Sequence, residues 1–340
     1  MMQEFPKVAV VILNWNGRIH LERFLPSVYN STYPNLEIIV GDNASTDSSV
    51  IFLQENFPLI RIISNEKNYG FAEGYNHIMD KVDADYYILL NSDVEVTPGW
   101  IEPAISLMES DKSIAAIQPK LLSYVHKGKF EYAGAAGGFI DQYGYPFCRG
   151  RIFDTVEEDH GQYNENSEIF WASGAALFIR KECWIKAKGF DPRFFAHMEE
   201  IDLCWRLKIM GYKIMYCAQS AVYHLGGGTL QSNNPYKTYL NFRNNLLMIR
   251  KNMSFSRSVY VIFIRLWLDL VSLLKFLLEG KFKHARAVNK AHLFFFRYIF
   301  SHRSKNNDHS LFNPVGLYKG SIVWKYFIEK KRKYSELFHS

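Results

Sequence analysis

Short apolar runs alternate with longer amphipathic segments through roughly the first third of the 340-residue chain. The runs are rich in Val, Ile and Tyr and are bounded by turn residues, which is typical of buried β-strands. They are Val8–Leu13, Leu36–Val40, Ile60–Ser64, Tyr86–Leu90 and Ile114–Gln118. The amphipathic segments predict helices over His20–Asn30, Asp47–Phe57, Ala72–Val82 and Pro98–Ser110. The alternation predicts an α/β fold in which helices cover both faces of a mostly parallel sheet.

Polar loops follow the first four predicted strands. They comprise residues 14–17, 41–47, 65–70 and 91–95, and they are rich in Asn, Ser and Asp. Ligands of open α/β sheets bind at the carboxyl ends of the strands. We therefore expect these four loops to form one shared site.

Asp93 follows a buried strand directly, with Asn91 and Ser92 before it. Mg²⁺ and Mn²⁺ prefer oxygen ligands and are often held by one or two carboxylates together with phosphate oxygens. The alternative is an ordinary turn, because Asn, Ser and Asp all favour turns. His224 follows a predicted strand over Lys213–Cys217 and could be a metal ligand or a phosphate contact, or could be structural.

A second acidic cluster comprises Glu199, Glu200 and Asp202. If Glu199 begins a helix, Asp202 lies four residues before Arg206 and can pair with it. Glu200 then shares a face with Leu203 and Cys204, so it should point into the protein or a cleft. Burial should raise its pKa, which suits a general base. The alternative is that these acids only complement the helix dipole.

Six segments together resemble the inverting glycosyltransferases of family 2, which have the GT-A fold. Val8–Asn16 is similar to the family's opening strand and its aromatic-Asn turn, and Val40–Asp47 resembles the VDNxSTD loop. The other four are Asn68–Asn76, the Asp-x-Asp region Leu89–Asp93, the acceptor-side segment Trp171–Ala175 and the Glu-Asp-x-Asp region Glu199–Leu203. The resemblance covers roughly residues 7–250, and the closest subgroup is rhamnosyltransferase-like.

The resemblance implies an inverting, metal-assisted transfer of a sugar from a nucleotide-diphosphate donor to a hydroxyl. The donor is dTDP-rhamnose or a UDP-hexose, and the acceptor is a glycan or lipid-linked sugar of the cell envelope. Glu200 is the implied base, in a catalytic cluster with Glu199 and Asp202, while Asp93 and His224 hold Mg²⁺ or Mn²⁺. The implied donor-binding residues are Leu13, Asn14, Trp15, Asn16, Asp42, Asn43, Asn68, Gly70, Asn76, Asn91 and Ser92, and the acceptor residues are Trp171, Gly174 and Ala175.

Three positions depart from the family pattern. Asn91 replaces the first metal-motif Asp, so Asp93 must supply most of the charge. Glu200 replaces the catalytic Asp with a longer carboxylate, and Gly41 stands where an apolar residue is usual. The substitutions at positions 91 and 200 keep the oxygen chemistry that the reaction needs.

Two other classes of protein could be built on a sheet of this kind. A nicotinamide dehydrogenase needs G-x-G-x-x-G after its first strand, whereas this turn reads Asn14-Trp15-Asn16-Gly17 with a single Gly. A Walker lysine loop is also missing from the sequence. A non-catalytic protein that binds a nucleotide sugar or a carbohydrate stays open as an alternative.

The C-terminal region differs in charge from the rest of the chain. Residues 251–340 carry 17 Lys and Arg against 5 Asp and Glu, a net charge of +12, whereas residues 1–250 carry −6. The division predicts a catalytic domain over 1–250 and a basic, aromatic helical region over 251–340. We expect an anionic membrane rather than nucleic acid as its partner, because no nucleic-acid module accompanies the charge.

The apolar run Val259–Leu278 contains Arg265, Asp269 and Lys275, which a membrane-spanning helix would bury at high cost. An interfacial amphipathic helix and an ordinary packed helical hairpin both remain open. The N-terminus lacks a signal-peptide pattern, and the four Cys form no C-x-x-C pair. These features predict a cytoplasmic protein, peripheral on the inner face of the cell membrane, with no indication of its oligomeric state.

Overall fold

The computed structural model describes residues 5–226, 234–301 and 313–338. The strands of its main sheet are β1 Val8–Asn14, β2 Leu36–Asp42, β3 Arg61–Ser64, β4 Tyr86–Asn91, β5 Val94–Val96, β6 Ile114–Ser123, β11 Ser167–Ile169, β12 Ala176–Arg180 and β13 Lys213–His224. They are arranged in the order β11-β13-β6-β12-β4-β1-β2-β3, with β5 paired to β13. The sheet is mixed. Strand β1 pairs in parallel with β2 and with β4, and β2 pairs in parallel with β3. Strand β12 lies between β4 and β6 and is antiparallel to both.

Helices cover both faces of this sheet, as the alternation predicts. They are α1 Arg18–Tyr29, α2 Ser49–Asn56, α3 Gly70–Met79, α4 Glu102–Ser110, α5 Lys181–Ala187 and α6 Glu199–Ile209. Successive residues of β1 enter different cores, because side chains alternate across a strand. Ala9 and Val11 pack with α3, α5 and α6, and Val8 and Val10 pack with α1, α2 and α4. This burial on both faces explains the uninterrupted apolar runs.

Gly41 departs from the family pattern for a local reason. It lies in β2, where an added Cβ would approach Cγ1 of Ile78 to 2.7 Å. The close approach of α3 to β2 therefore leaves no room for the apolar side chain that is usual there.

Three predicted element boundaries differ most from the structure, and one of them is the end of β6, which continues to Ser123 instead of stopping at Gln118. Helix α4 begins at Glu102 rather than Pro98, with Pro103 in its first turn. Strand β13 continues to His224 instead of ending at Cys217, because it passes a β-bulge and resumes pairing with β6. This extension carries His224 to the edge of the sheet where the polar loops lie.

Residues 120–166, whose sequence shows only weak periodicity, contribute four strands of a second, five-stranded sheet. Its strands are β7 Gly138–Asp141, β8 Pro146–Cys148, β9 Arg151–Ile152, β10 Thr155–Val156 and β14 Leu317–Tyr318. They are arranged in the order β10-β9-β8-β7-β14. Strands of two to four residues are too short to show a period of two, so they are hard to see in the sequence. Gly138 lets Trp171 cover this sheet, because an added Cβ would lie 2.2 Å from the indole ring.

The C-terminal region is mostly helical, as predicted, although it also contains β14. Helices α7 Pro235–Asn252, α8 Phe255–Leu278 and α9 Phe282–Ser301 pack on one another, and α10 Ile322–Phe327 follows. The last described segment returns to the second sheet, where the Ile322 amide donates to Asp141 Oδ2 at 3.0 Å. The proposed division at residue 250 therefore separates parts that contact each other closely.

Candidate active site

The register of the parallel strands brings the first polar loops together. Asn14 lies opposite Asp42, and Leu13 lies opposite Asn91. The buried Asn14 side chain donates from Nδ2 to Asp42 Oδ1 at 3.3 Å and to Ser45 Oγ at 3.2 Å. Leu13 is half-buried beside them. The predicted donor residues of the first, second and fourth strands thus lie in one row.

Asn16 shapes the loop that presents Trp15. Its backbone is left-handed, with φ 51°, which Asn tolerates better than most residues. Its Oδ1 accepts hydrogen bonds from the backbone amides of Thr46 at 2.7 Å and Asp47 at 3.3 Å. The neighbouring Trp15 is 46% exposed and available to lie against a ligand ring.

Asn43 has its hydrogen-bonding groups occupied within the protein. Its Nδ2 donates to Asn68 Oδ1 and to the Gly70 carbonyl, both at 2.9 Å, and its Oδ1 accepts from Asn65 Nδ2 at 3.0 Å. Asn76 likewise exchanges two hydrogen bonds with the backbone of Phe190, at 2.8 and 3.0 Å. Both asparagines fix loops of the site, whereas Asn68 remains exposed.

Asp93 and His224 meet at the end of the row. Strand β5 pairs with β13 so that Val94 lies opposite His224. Asp93 and His224 are each 5% exposed. His224 Nε2 lies 3.1 Å from Asp93 Oδ1 and 3.4 Å from Asn91 Nδ2. Ser92, which lies between Asn91 and Asp93 in the sequence, is half-buried.

The opposite charges of this cluster shift one another's pKa values so that each charged form is favoured. Burial alone would raise the pKa of Asp93, but the charge and hydrogen bond of His224 hold it below its usual value. Burial opposes the protonation of His224, yet Glu131 and Asp93 raise its pKa to about 10. Glu131 comes from the weakly periodic segment, where no motif marks it, and its Oε1 lies 3.3 Å from His224 Nδ1.

In the described part of the chain, no three His, Cys, Asp or Glu side chains form a complete metal site. Asp93 and His224 contribute one carboxylate and one imidazole, which lie 3.1 Å apart. A divalent cation at such a place needs further oxygens from outside the protein, as diphosphates and water supply.

Glu200 stands at the start of α6, after a segment of unusual backbone. Phe195, His197 and Met198 all have positive φ, between 64° and 74°. The Asn244 amide of α7 holds this segment by donating to the carbonyls of Phe194, Ala196 and His197 at 2.7 to 2.9 Å. Such backbone costs about 1–3 kcal/mol per residue, so it persists only where contacts enforce it.

Glu200 has the environment of a base. It is half-buried beside Gly174, whose added Cβ would lie 3.9 Å from Glu200 Cβ, and its Oε2 has no hydrogen-bond partner among the described residues. Burial raises the pKa of Glu200 to about 7. Glu199 is more deeply buried, and burial and the charge of Glu200 raise its pKa well above the usual value.

Asp202 has contacts of a different kind. It is fully buried, and it accepts from Arg206 Nε, Lys251 Nζ and Asn252 Nδ2, each at 2.8 Å. The predicted pair with Arg206 is present. The other two partners belong to α7, so Asp202 joins α6 to α7 and has no open oxygen for a substrate.

The acceptor-side segment lies between the two acidic clusters. The Ala175 carbonyl accepts from the backbone N–H of Asn91 at 3.0 Å, and Gly174 lies against Phe71 and Glu200. Trp171 is 3% exposed, and its indole donates to the Phe139 carbonyl at 2.8 Å. The structure therefore places Trp171 in the core, because the second sheet covers it, and not on an acceptor surface.

Comparisons with known proteins identify sequences and folds to which this chain is similar. Residues 9–159 match the model of the family described as "Glycosyl transferase family 2". The chain is 25% identical over 231 residues to the N-acetylglucosaminyl-diphospho-decaprenol L-rhamnosyltransferase of Mycobacterium tuberculosis, covering 64% of this chain and 75% of that protein. It is 24% identical over 218 residues to the rhamnosyltransferase WbbL of Escherichia coli, covering 62% and 80%.

Among solved structures, the chain resembles GalNAc-T7, which was crystallised with UDP, GalNAc and Mn²⁺. The TM-score is 0.56 at 18% identity, and the match covers 73% of this chain and 48% of that longer chain. This likeness confirms the GT-A fold predicted from the sequence motifs.

The raised pKa of Glu200 predicts a pH-dependent effect of Glu200→Gln on stability. Between about pH 4.5 and 7 the folded protein binds a proton at Glu200 that the unfolded chain releases, so this group lowers the stability of the wild type as pH rises. The melting temperature of the variant, relative to wild type, should therefore increase from about pH 5 to about pH 8. Exposed Glu182→Gln serves as the control. If the difference in melting temperature between Glu200→Gln and wild type stays constant from about pH 5 to about pH 8, the raised pKa of Glu200 is contradicted.

Proposed function

We propose that this chain is a member of glycosyl transferase family 2 that transfers rhamnose from dTDP-rhamnose to a hydroxyl of a lipid-linked or glycan acceptor, with inversion of configuration. The observation that carries the proposal is a half-buried Glu200 with an unpaired oxygen, which lies beside Gly174 in a segment whose Ala175 bonds the loop of Asp93. The rhamnosyltransferase relatives support this donor, and UDP-hexoses are its rivals. The product would enter the synthesis of cell-envelope polysaccharide.

The donor nucleotide would occupy the row of strand-end loops. Exposed Trp15 can stack on the base, and Asp42 has lone pairs left to accept from a pyrimidine N–H after its bonds to Asn14 and Ser45. Asn68 and the Gly70 region border the same loops. Asn43 and Asn76 act by holding the loops in place.

The leaving diphosphate would lie against Asp93 and His224. Asp93 and His224 would hold a divalent cation, Mg²⁺ or Mn²⁺, which would neutralise the charge that grows on the leaving group. One carboxylate and one imidazole fit such a cation, provided that donor phosphates complete its oxygen shell. Asn91 adds only a neutral amide, so Asp93 supplies the negative charge of this pair.

Glu200 would act on the opposite side of the donor sugar. The acceptor hydroxyl gives its proton to Glu200 while its oxygen forms a bond to the anomeric carbon. The bond from that carbon to the diphosphate oxygen breaks, and the electron pair leaves with the diphosphate. Attack from the face opposite the leaving group inverts the anomeric configuration. A carboxylate with a pKa near 7 is well matched to this proton transfer at neutral pH.

Glu200→Gln should abolish transfer and leave donor binding intact. The amide keeps the shape but cannot take the proton, so kcat should fall by about 10²–10⁴-fold while donor Kd changes less than about twofold. Glu199→Gln is the matched control, because Glu199 is the adjacent buried carboxylate. The assay follows dTDP release with a sugar-diphospho-lipid acceptor. Loss of activity in Glu199→Gln alone would assign the base to Glu199, and donor binding without any turnover by wild type would favour a binding protein.

Asp93→Asn should abolish Mn²⁺-dependent donor binding. Because Asn91 is already a neutral amide, the variant has no carboxylate beside His224 on this loop, and a hard cation loses its charged ligand. A thermal-shift screen of dTDP-rhamnose and UDP-hexoses, with and without Mn²⁺, measures the effect. Glu95→Gln, which removes a nearby carboxylate that pairs with Lys127 at 3.1 Å, should behave as wild type. Unchanged wild-type turnover in excess chelator would refute the metal assignment.

The C-terminal helices support a membrane location through an inverted pattern of burial. Helix α8 buries its charged residues: Arg265 bonds Asn245 and stacks 3.6 Å from the Tyr145 ring, and Asp269 accepts from His292 at 3.0 Å. Most of its large apolar residues face outward instead, although Val261 and Ile262 are buried. The exposed large apolar side chains of α8 and α9 are Phe255, Val259, Tyr260, Phe263, Trp267, Leu270, Val271, Leu274, Leu277, Leu278, Phe282, Leu293, Phe294 and Phe296.

Basic residues flank this apolar face. Lys275, Lys281, Lys283, Arg286 and Lys290 are all exposed. None of the described helices is long and apolar enough to cross a membrane. We infer that the face lies on the anionic inner surface of the cell membrane, where a lipid-linked acceptor would be presented. The helices pack on the rest of the protein and also expose an apolar face. The interfacial amphipathic helix and the packed helical hairpin, which the sequence left as alternatives, are therefore compatible.

Full-length protein should float with anionic liposomes, and Phe263→Ser/Trp267→Ser should lose most of this binding. Each exposed basic residue contributes about 1 kcal/mol near such a surface, and the apolar face supplies a part that salt does not screen. Added salt should therefore weaken flotation without eliminating it. Leu59→Ser, which removes an 84% exposed apolar residue from the catalytic body, is the control. Flotation with neither anionic nor neutral liposomes, or equal flotation of the double variant, would refute the proposal.

A further inference from the structure

Glu131 is a buried carboxylate that belongs to none of the family motifs quoted above. It is 6% exposed and follows Phe130, which pairs with Leu122 beside the main sheet. The Glu131 amide donates to the Leu121 carbonyl at 2.9 Å, which anchors its backbone. The residue comes from the segment whose sequence is least regular, yet its side chain ends at the metal-binding pair.

The Glu131 carboxylate has one oxygen for the loop and one for His224. Its Oε2 accepts the backbone N–H of Ala133, which fixes the plane of the carboxylate. Its Oε1 then lies 3.3 Å from His224 Nδ1. Gly226 leaves room for this oxygen, because an added Cβ would approach it to 3.1 Å.

The two nitrogens of His224 therefore face different partners. Nδ1 faces Glu131, and Nε2 faces Asp93 at 3.1 Å, on the side where the cation would bind. Metal-ligating histidines commonly donate their other ring N–H to a carboxylate, which fixes the tautomer and the ring orientation. A cation that takes the place of the Nε2 proton would meet the Nε2 lone pair, while Nδ1–H stays directed at Glu131.

We propose that Glu131 is a positioning residue of the metal site, which holds His224 with Nε2 directed at the divalent cation. The inference rests on the proposed function, because it assumes that Asp93 and His224 bind the cation. Glu131 is not itself a ligand in this arrangement, since the imidazole ring stands between its carboxylate and Asp93.

Glu131→Gln tests the role through metal affinity rather than turnover. A glutamine can accept from Nδ1–H or from the Ala133 amide with its one oxygen, but not from both, so the ring loses its fixed orientation. Mn²⁺ binding, measured by EPR of free Mn²⁺ with UDP and with dTDP present, should weaken by about 10–100-fold. Glu131→Asp restores a carboxylate at a shorter reach and should give an intermediate Kd.

Glu157→Gln is the matched control. Glu157 is also a buried carboxylate near the second sheet, but it accepts from the neutral hydroxyl of Tyr163 at 3.0 Å and from the Tyr334 amide at 3.1 Å. Because Glu157 does not hold His224, the Mn²⁺ Kd of this variant should equal that of wild type. Thermal melts check that all variants are folded.

The outcomes separate this inference from the proposed function. Wild-type binding of Mn²⁺ with an unchanged Kd in Glu131→Gln would overturn the positioning role, including the case in which the variant only melts earlier. Wild-type protein that binds no Mn²⁺ with either nucleotide would overturn the metal assignment and this role with it.

Discussion

The parallel pairing of β1 with strands on both of its sides is the constraint on which the site depends. Because β1 pairs with β2 and β4 in register, Asn14 lies opposite Asp42, and Leu13 lies opposite Asn91. The strands must be buried on both faces to hold this register, which the two cores achieve. The carboxyl ends then stop at one edge, and their polar residues satisfy one another there.

The other half of the site depends on packing between helices. The backbone before Glu200 contains three non-glycine residues with positive φ, and it is held by the amide of Asn244. Asp202 ties the following helix to α7 through Lys251 and Asn252. Glu200 therefore owes its position to α7. A division of the chain into a catalytic part and a tail at residue 250 would cut through this support.

Two charged residues of α8 are buried, although the sequence of this helix alone suggests that they face water. Arg265 and Asp269 interrupt an apolar run, and in a lone amphipathic helix they would face water. In the structure they are buried against Asn245, Tyr145 and His292, so the apolar residues of the same helix are turned outward. Burial of these two charged side chains is possible because each charge has a partner. The result is an exposed apolar face on a helix that is also packed.

The sequence alone determined the elements whose signals are local. Runs of apolar residues buried on two faces predicted the central strands, and the order of the motifs predicted the GT-A fold and the residues Asn14, Asp42, Asp93 and Glu200. Only the tertiary structure decided which of these side chains are open to a ligand. Trp171 and Asn43 look like site residues in sequence but are occupied by neighbours. Glu131 has no sequence signal, because its proximity to His224 joins widely separated segments through a strand pairing that no local pattern encodes.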